Sequence, residues 1–415
     1  MNNIFKPYIR LPKSVYILFI SRIIICIGSF VYPFVTMLLT IKLGYNERAA
    51  GILLTIIVAS GGLGLLLGGK LSDKFGRKKI IILFNLLSAF AFIICAFINT
   101  SPLVPYIILI ANFFSMGQLP AINAMITDIT DKEARENAFS LIYLGTNIGI
   151  AISPIIAGFL FNNYFILIFL LDAATTILAL IPIILFVKET LPSKDEMIKS
   201  DIEDLEKAEK GNVFVILFKK PVLVIFAFVS IIYSIVYAQY SFGLPIYVND
   251  IFSTKGPVVY GSIMSVNAIV VVTATLFLIA SMKKIRPIIN IGISGLLYAI
   301  GFGVIFFFKL YYLLIISTII WTLGEIIHTV NTSVFVANHS PISHRGRFNA
   351  IITFITQSGF AISPLLFGIF IKHYGARSIW PLIFFLAIFA SLVMFGLGLF
   401  EKTRKRKLRN NSLEK

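Results

Sequence analysis

The sequence predicts an all-α membrane protein whose twelve transmembrane helices form two pseudo-symmetric six-helix bundles. Three observations carry this: a large excess of apolar side chains, their grouping into twelve runs of spanning length, and a repeat relating the two halves. Of 415 residues, 58% are hydrophobic and 13% charged, and the mean hydropathy is +0.93. A soluble surface needs more charge than that, so lipid is the expected solvent. The 39 phenylalanines fit a surface facing acyl chains.

A bilayer core takes about 20 apolar residues per helix. Runs of that kind occupy 14–41, 48–70, 78–99, 103–127, 137–161, 165–187, 218–248, 258–281, 286–308, 311–337, 348–371 and 377–400, here spans 1 to 12. Helices are expected because every backbone polar group in hydrocarbon needs an internal partner, and the runs are too long and uniformly apolar for barrel strands. The first run lacks a small-residue cleavage site, so no cleavable leader is expected.

Lys and Arg orient the chain. With both termini cytoplasmic, 29 of the 36 lie in the inner segments and six in the outer ones, with Arg22 inside span 1. This bias predicts a multi-pass protein of the cell membrane with cytoplasmic termini. It also explains the net charge of +17 as a topology signal, and no nucleic-acid partner is read from it. Cys26 and Cys95 sit in apolar runs and suggest neither a disulfide framework nor a metal site.

The stretch 188–217 is dense in both charge signs and reads as a cytoplasmic linker. It divides an N-terminal bundle, 1–187, from a C-terminal one, 218–400, with a basic tail at 401–415. The bundles are related. Gly149-Ile-Ala-Ile-Ser-Pro-Ile-Ile-Ala-Gly158 in span 5 matches Gly359-Phe-Ala-Ile-Ser-Pro-Leu-Leu-Phe-Gly368 in span 11 at six of ten positions. The same offset of 210 pairs Arg135 with Arg345 and Tyr164 with Tyr374. Six spans plus six with equivalent fifth members form a parallel repeat.

The loop between spans 2 and 3 reads Gly69-Lys-Leu-Ser-Asp73-Lys-Phe-Gly76-Arg77-Lys-Lys79. Gly69 and Gly76 suit a tight turn and close helix approach, and Asp73 at a membrane edge needs a cation or a helix N-terminus. This loop resembles the signature G-x-L-x-D-[RK]-x-G-[RK]-[RK] of the major facilitator superfamily at every defined position. The resemblance implies the major facilitator fold and a cytoplasmic gate, with Asp128 and Arg135 at loop 4–5 joining Asp73 and Arg77. The equivalent loop 8–9 keeps Lys283, Lys284 and Arg286 but no acid. Gly64 to Lys70 fits G-x-x-x-x-G-K, yet Leu71 replaces the hydroxyl residue and the segment lies in a span. No nucleotide cofactor, or any other, is expected, and neither is enzymatic activity.

Span 5 carries Gly145, Gly149, Ser153-Pro154 and Ala157-Gly158, similar to the antiporter motif G-x-x-x-G-P-x-x-G-G. Span 10 reads Trp321-Thr-Leu-Gly-Glu325-Ile-Ile-His328. With Asn123 to Asp128 and Leu244-Pro245, it resembles Gram-positive multidrug/proton antiporters of the drug/proton antiporter family, which hold a glutamate after Thr-Leu-Gly in this span. The resemblance implies exchange of protons against lipophilic, often cationic drugs. Phe113, Ile142 and Ser241 stand where that family and its relatives have charged residues.

Among 19 acids, Asp172 and Glu325 alone lie well inside spans, and an intramembrane acid is a functional candidate by default. Glu325 is read as the proton and cation site, with His328 on the same helix face as a relay. Asp172 is read as a coupling or structural acid, and Arg22 as snorkelling toward the cytoplasmic headgroups. Tyr233, Tyr237, Gln239, Tyr240, Asn112 and Gln357, with Gln118, Asn147 and Asn267, are candidate cavity residues. The partners expected are a small molecule, protons and the bilayer, with the chain a monomer. Uptake of a peptide or other small nutrient, lipid flipping and a non-transporting sensor are the alternatives.

Overall fold

The computed structural model of the chain describes residues 11–191, 221–282, 284–307, 309–339 and 345–413. Within them every regular element is helical. Eleven helical runs are long and apolar enough to cross a membrane. One, Val222–Thr275, has 54 residues, far more than one crossing needs. It turns back at the 3-10 turn Ser253–Lys255, just before the helix that starts at Gly256, and so supplies spans 7 and 8. Twelve crossings result, as the hydropathy predicts.

The turns are short and locally encoded. Asn46 and Asp131 cap spans 2 and 5 through their side chains, accepting from Ala49 N at 2.9 Å and Ala134 N at 2.7 Å. Gly76, at φ 112°, ends span 2 (Glu47–Phe75) and starts span 3 (Arg77–Ile98). Many large apolar side chains remain uncovered, among them Leu66, Phe90, Phe97 and Phe159, with Phe97 at 84%. A lipid environment makes that arrangement favourable.

The described residues form two compact units. One comprises spans 1 to 6 with 244–272; the other comprises 221–243 and 273–413. In the first, Gly64 and Gly68 of span 2 lie against the backbone of span 4 (Val104–Asp128). A Cβ there would fall 2.0 Å from Phe113 O and 1.8 Å from Gly117 O. These glycines, not Gly69, make the close approach. A Cβ on Gly69 would meet only Pro120 Cβ at 3.7 Å, an ordinary contact, which corrects the expectation for that residue.

Span 1 is not one helix. Lys13–Ile27 and Val31–Met37 are separated at 28–30, and a π-helical turn, Leu38–Lys42, completes the span. Span 7 has a related interruption. Its helix Pro221–Tyr237 passes into a 3-10 turn, Ala238–Tyr240, before Gly243–Phe252 continues. The offset of 210 carries Ser29, in the first break, onto Gln239, in the second.

Candidate functional site

The second unit gathers its chemistry around Glu325. Trp321, Glu325 and His328 lie at i, i+4 and i+7 on the helix Tyr311–His339 (span 10) and share a face. The Tyr237 hydroxyl donates to the Glu325 carboxylate, and Tyr240 and Tyr298 lie within its electrostatic reach. The rings close into a box. Tyr237 is 4.7 Å from Tyr240 and 5.9 Å from Tyr298, and Tyr240 stacks on Trp321 at 6.1 Å. Phe360 of span 11 (Arg345–Tyr374) stands 6.3 Å from Tyr240. The result is a half-buried carboxylate walled by electron-rich ring faces and hydroxyl groups.

His328 lies between Tyr233, stacked at 4.7 Å, and Tyr298 at 6.2 Å. Its Nδ1 is buried with no protein partner, as is Nε1 of the fully buried Trp321.

Other residues proposed from sequence hold helices together. Tyr233 donates its hydroxyl to Ile291 O at 2.8 Å. Gln239 donates from Nε2 to Ser363 Oγ at 2.8 Å and to Ile235 O at 3.2 Å. Asn112, in the first unit, donates to Ile57 O at 2.6 Å, and Asn147 to Tyr143 O at 2.9 Å. Gln357 is exposed. The structure thus brings Tyr237 and Tyr240 to Glu325 and leaves Gln239 and Asn112 bonded to other partners.

The antiporter-like motif of span 5 (Lys132–Asn163) lies on the break in span 1. A Cβ on Gly149 would fall 2.3 Å from Cys26 Cβ, and Ser153 Oγ donates to Ser29 O at 2.6 Å. Pro154 sits inside the helix, with its carbonyl 2.2 Å from where Gly261 would carry a Cβ. Gly158 abuts Pro257 O. In the second unit the repeat-related Ser363 Oγ donates to Ile235 O at 3.1 Å, and Gly359 abuts Ile231 O. The two matched Ser-Pro segments each tie a helix to the backbone near their unit's interruption, Ser363 one turn before the position that matches Ser29.

Asp172 of span 6 (Phe165–Phe186) is 5% exposed. Its Oδ2 accepts from Phe30 N at 3.1 Å and Val31 N at 3.2 Å. Arg22, read as snorkelling, is tied to span 5. It lies within its helix and donates from Nε to Thr146 Oγ1 at 2.9 Å.

At the end carrying the 2–3 loop, Arg77 pairs with Asp73 and reaches Asp128 Oδ2 at 3.5 Å. Arg135 bonds Thr127 O at 3.2 Å and Thr130 O at 3.3 Å, satisfying carbonyls at the end of span 4. Sequence reading missed Glu189. Its Oε1 accepts from Arg77 N at 2.7 Å and Lys78 N at 3.3 Å, capping span 3. Burial pushes this carboxyl up, but the amides of Thr190, Arg77, Leu191 and Lys78 outweigh it and hold it below the usual glutamate range. Gly76 makes room, since a Cβ there would fall 2.4 Å from Glu189 Oε2. Thr190 donates to Asp128 Oδ2 at 3.1 Å, closing the cluster.

The second unit has its own cluster. Arg286 pairs with Glu401 Oε2 at 2.8 Å, and His339 Nε2 lies 3.4 Å from Glu401 Oε1. The acid missing from loop 8–9 is thus supplied by span 12 (Ile379–Leu413), whose helix runs on through the expected tail. The described residues include neither Lys283 nor the Arg345 side chain.

The family model described as Major Facilitator Superfamily matches residues 18–337 and again 291–415. A Na(+), Li(+), K(+)/H(+) antiporter of Planococcus maritimus is 23% identical over 366 residues, covering 81% of this chain and 84% of that one. The uncharacterised MFS-type transporter YttB of Bacillus subtilis (strain 168) is 23% identical, covering 89% and 91%. Among solved structures, the peptide transporter POT in complex with sulfate superposes with a TM-score of 0.75 at 15% identity, over 93% of this chain and 94% of that one. The nucleoside transporter NupG gives 0.74 at 16%, over 93% and 99%. The signature loop, the twelve crossings and the family match agree, and the chain belongs to the Major Facilitator Superfamily of membrane transporters.

Proposed function

We propose that this transporter is a proton-coupled antiporter of the drug/proton type that exports lipophilic, often cationic compounds across the cell membrane, acting as a monomer with both termini in the cytoplasm. The observation that carries the reading is Glu325 inside the box of Tyr237, Tyr240, Tyr298 and Trp321. A carboxylate in that setting holds either a proton or an organic cation, so loading one displaces the other. Exposing it alternately to the two sides exchanges them. His328, with Nδ1 open, is equipped to pass the proton. The cluster of Asp73, Arg77, Asp128 and Glu189 serves as the cytoplasmic gate.

The Planococcus relative favours a second reading, exchange of alkali cations for protons. An alkali ion calls for several oxygen ligands; Glu325 and the tyrosine hydroxyls supply some, while the ring faces of Tyr240, Trp321 and Phe360 favour an apolar cation. Everted membrane vesicles separate the readings. Under an imposed proton gradient, ethidium uptake by the wild type and its loss in Glu325→Gln is the expected result. Gradient collapse on adding Na⁺ or K⁺, without ethidium uptake, would establish the alkali reading instead. No response to either points to nutrient uptake or lipid movement.

A further inference from the structure

Span 1 breaks at Gly28–Phe30, halfway along its 30 residues, and Pro33 frees the Ser29 carbonyl, having no N–H to donate to it and a ring that crowds it. Two neighbouring helices press against it. A Cβ on Gly28 would fall 1.6 Å from Thr175 Oγ1 of span 6, and Gly149 of span 5 meets Cys26 and Ile27 N. Ser153 occupies the Ser29 carbonyl. The amide of Phe30 donates to Gly28 O at 2.8 Å and also to Asp172 Oδ2, and Asp172 Oδ2 takes the amide of Val31 as well. The joint is therefore closed by a carboxylate at the positive end of the segment that continues to Lys42. Ser29 is half-buried, so one flank of the joint is open.

We propose that Asp172 is a second coupling residue, which binds a proton when the joint in span 1 loosens and releases it when the joint closes. A proton from water adds to a carboxylate oxygen as an O–H. The oxygens then accept as a neutral acid, and two charge-assisted bonds fall to about half their strength. The segment beyond Phe30 thereby gains freedom to swing. On closing, the two amides favour the carboxylate and the proton returns to water. The groups facing Asp172 are Cys26, Tyr32 and, further down, Arg22 on span 1, with Cys95 on span 3 beside Tyr32. Ser153 and Thr175 complete the surroundings. Asp172 is the one carboxyl group among them. The use of the joint in exchange rests on the antiport reading; the protonation does not.

Hydrogen–deuterium exchange of the full chain in lipid nanodiscs tests this, with rates at Phe30 and Val31 corrected for intrinsic exchange between pH 5 and 9. The wild type should lose about tenfold in protection along a one-proton curve as pH falls. Asp172→Asn should be flat across that range, and Glu325→Gln should keep the wild-type curve. A flat wild-type curve, or an unchanged curve in Asp172→Asn, overturns the proposal. If Asp172→Asn does not fold, Asp172→Glu serves: a longer carboxylate should move the midpoint, and an unmoved midpoint overturns it. Vesicles that show no antiport while the curve persists remove the antiport reading and leave the joint standing.

Discussion

Gly62 and Gly68 are six residues apart on span 2 and should respond oppositely to the same added methyl group. A Cβ on Gly62 meets nothing within 4 Å, whereas on Gly68 it falls 1.8 Å from the Gly117 carbonyl oxygen, a backbone atom that no rotamer change can move. Alanine in a helix interior is favoured over glycine by about 0.5–1 kcal/mol, so Gly62→Ala should stabilise by that amount. In Gly68→Ala, spans 2 and 4 must part by about an ångström or more, which forfeits van der Waals contact along the interface. Overpacking of this kind costs about 3 kcal/mol, leaving a net loss of about 2 kcal/mol once the helix preference is subtracted. The buried free thiols of Cys26 and Cys95 supply the assay, since a thiol-reactive dye reports their exposure on heating in detergent. Gly62→Ala should melt above wild type and Gly68→Ala below it. If Gly68→Ala melts at or above Gly62→Ala, the close approach assigned to this glycine is wrong.

Two further outcomes are expected from the charged clusters. Glu189→Gln removes a charged cap from span 3 and should lower the melting midpoint, by an amount that corresponds to about 0.5–1 kcal/mol at this exposed site. Because the folded carboxyl titrates below its unfolded value, near pH 4.3, its contribution is present above that pH and lost as pH falls through the folded value. The difference between wild type and variant should therefore be constant from pH 5 to 8 and shrink below about pH 4, as thermal scans at each pH would show. In the second unit, Glu401→Gln leaves Arg286 without its ion pair and should destabilise, while Arg286→Gln in the same chain should restore part of the loss; a double-mutant cycle with no coupling energy would refute the pairing.

Twelve crossings, the duplication and the signature loop were legible because each is written locally, in runs of apolar residues or in a contiguous motif. The break in span 1 was not. Its one local signal, Pro33, which cannot donate to the Ser29 carbonyl, went unread, and the rest of the joint depends on Thr175, Ser153 and Asp172, which converge on Gly28-Ser29-Phe30 from more than 120 residues away. Glu189 was hidden for the same reason, its partners lying 112 and 111 residues back in the chain. Glu401 was obscured by the basic residues that follow it. Around Glu325, span 10 alone suggested the acid and the imidazole. The box depends on which turns of spans 7, 9 and 11 face them, so Tyr298 and Phe360 escaped notice.

The interruptions in spans 1 and 7 concentrate polar contacts where a helix gives up its own backbone bonds, and the two sets differ in kind. At span 7 they are neutral: Ser363 Oγ on Ile235 O, with Gln239 Nε2 reaching both. At span 1 a serine bond is joined by two amides on a carboxylate, and a bond to an ionised group is worth about twice a neutral one. Strain shared between the two places should therefore be taken up first at span 7.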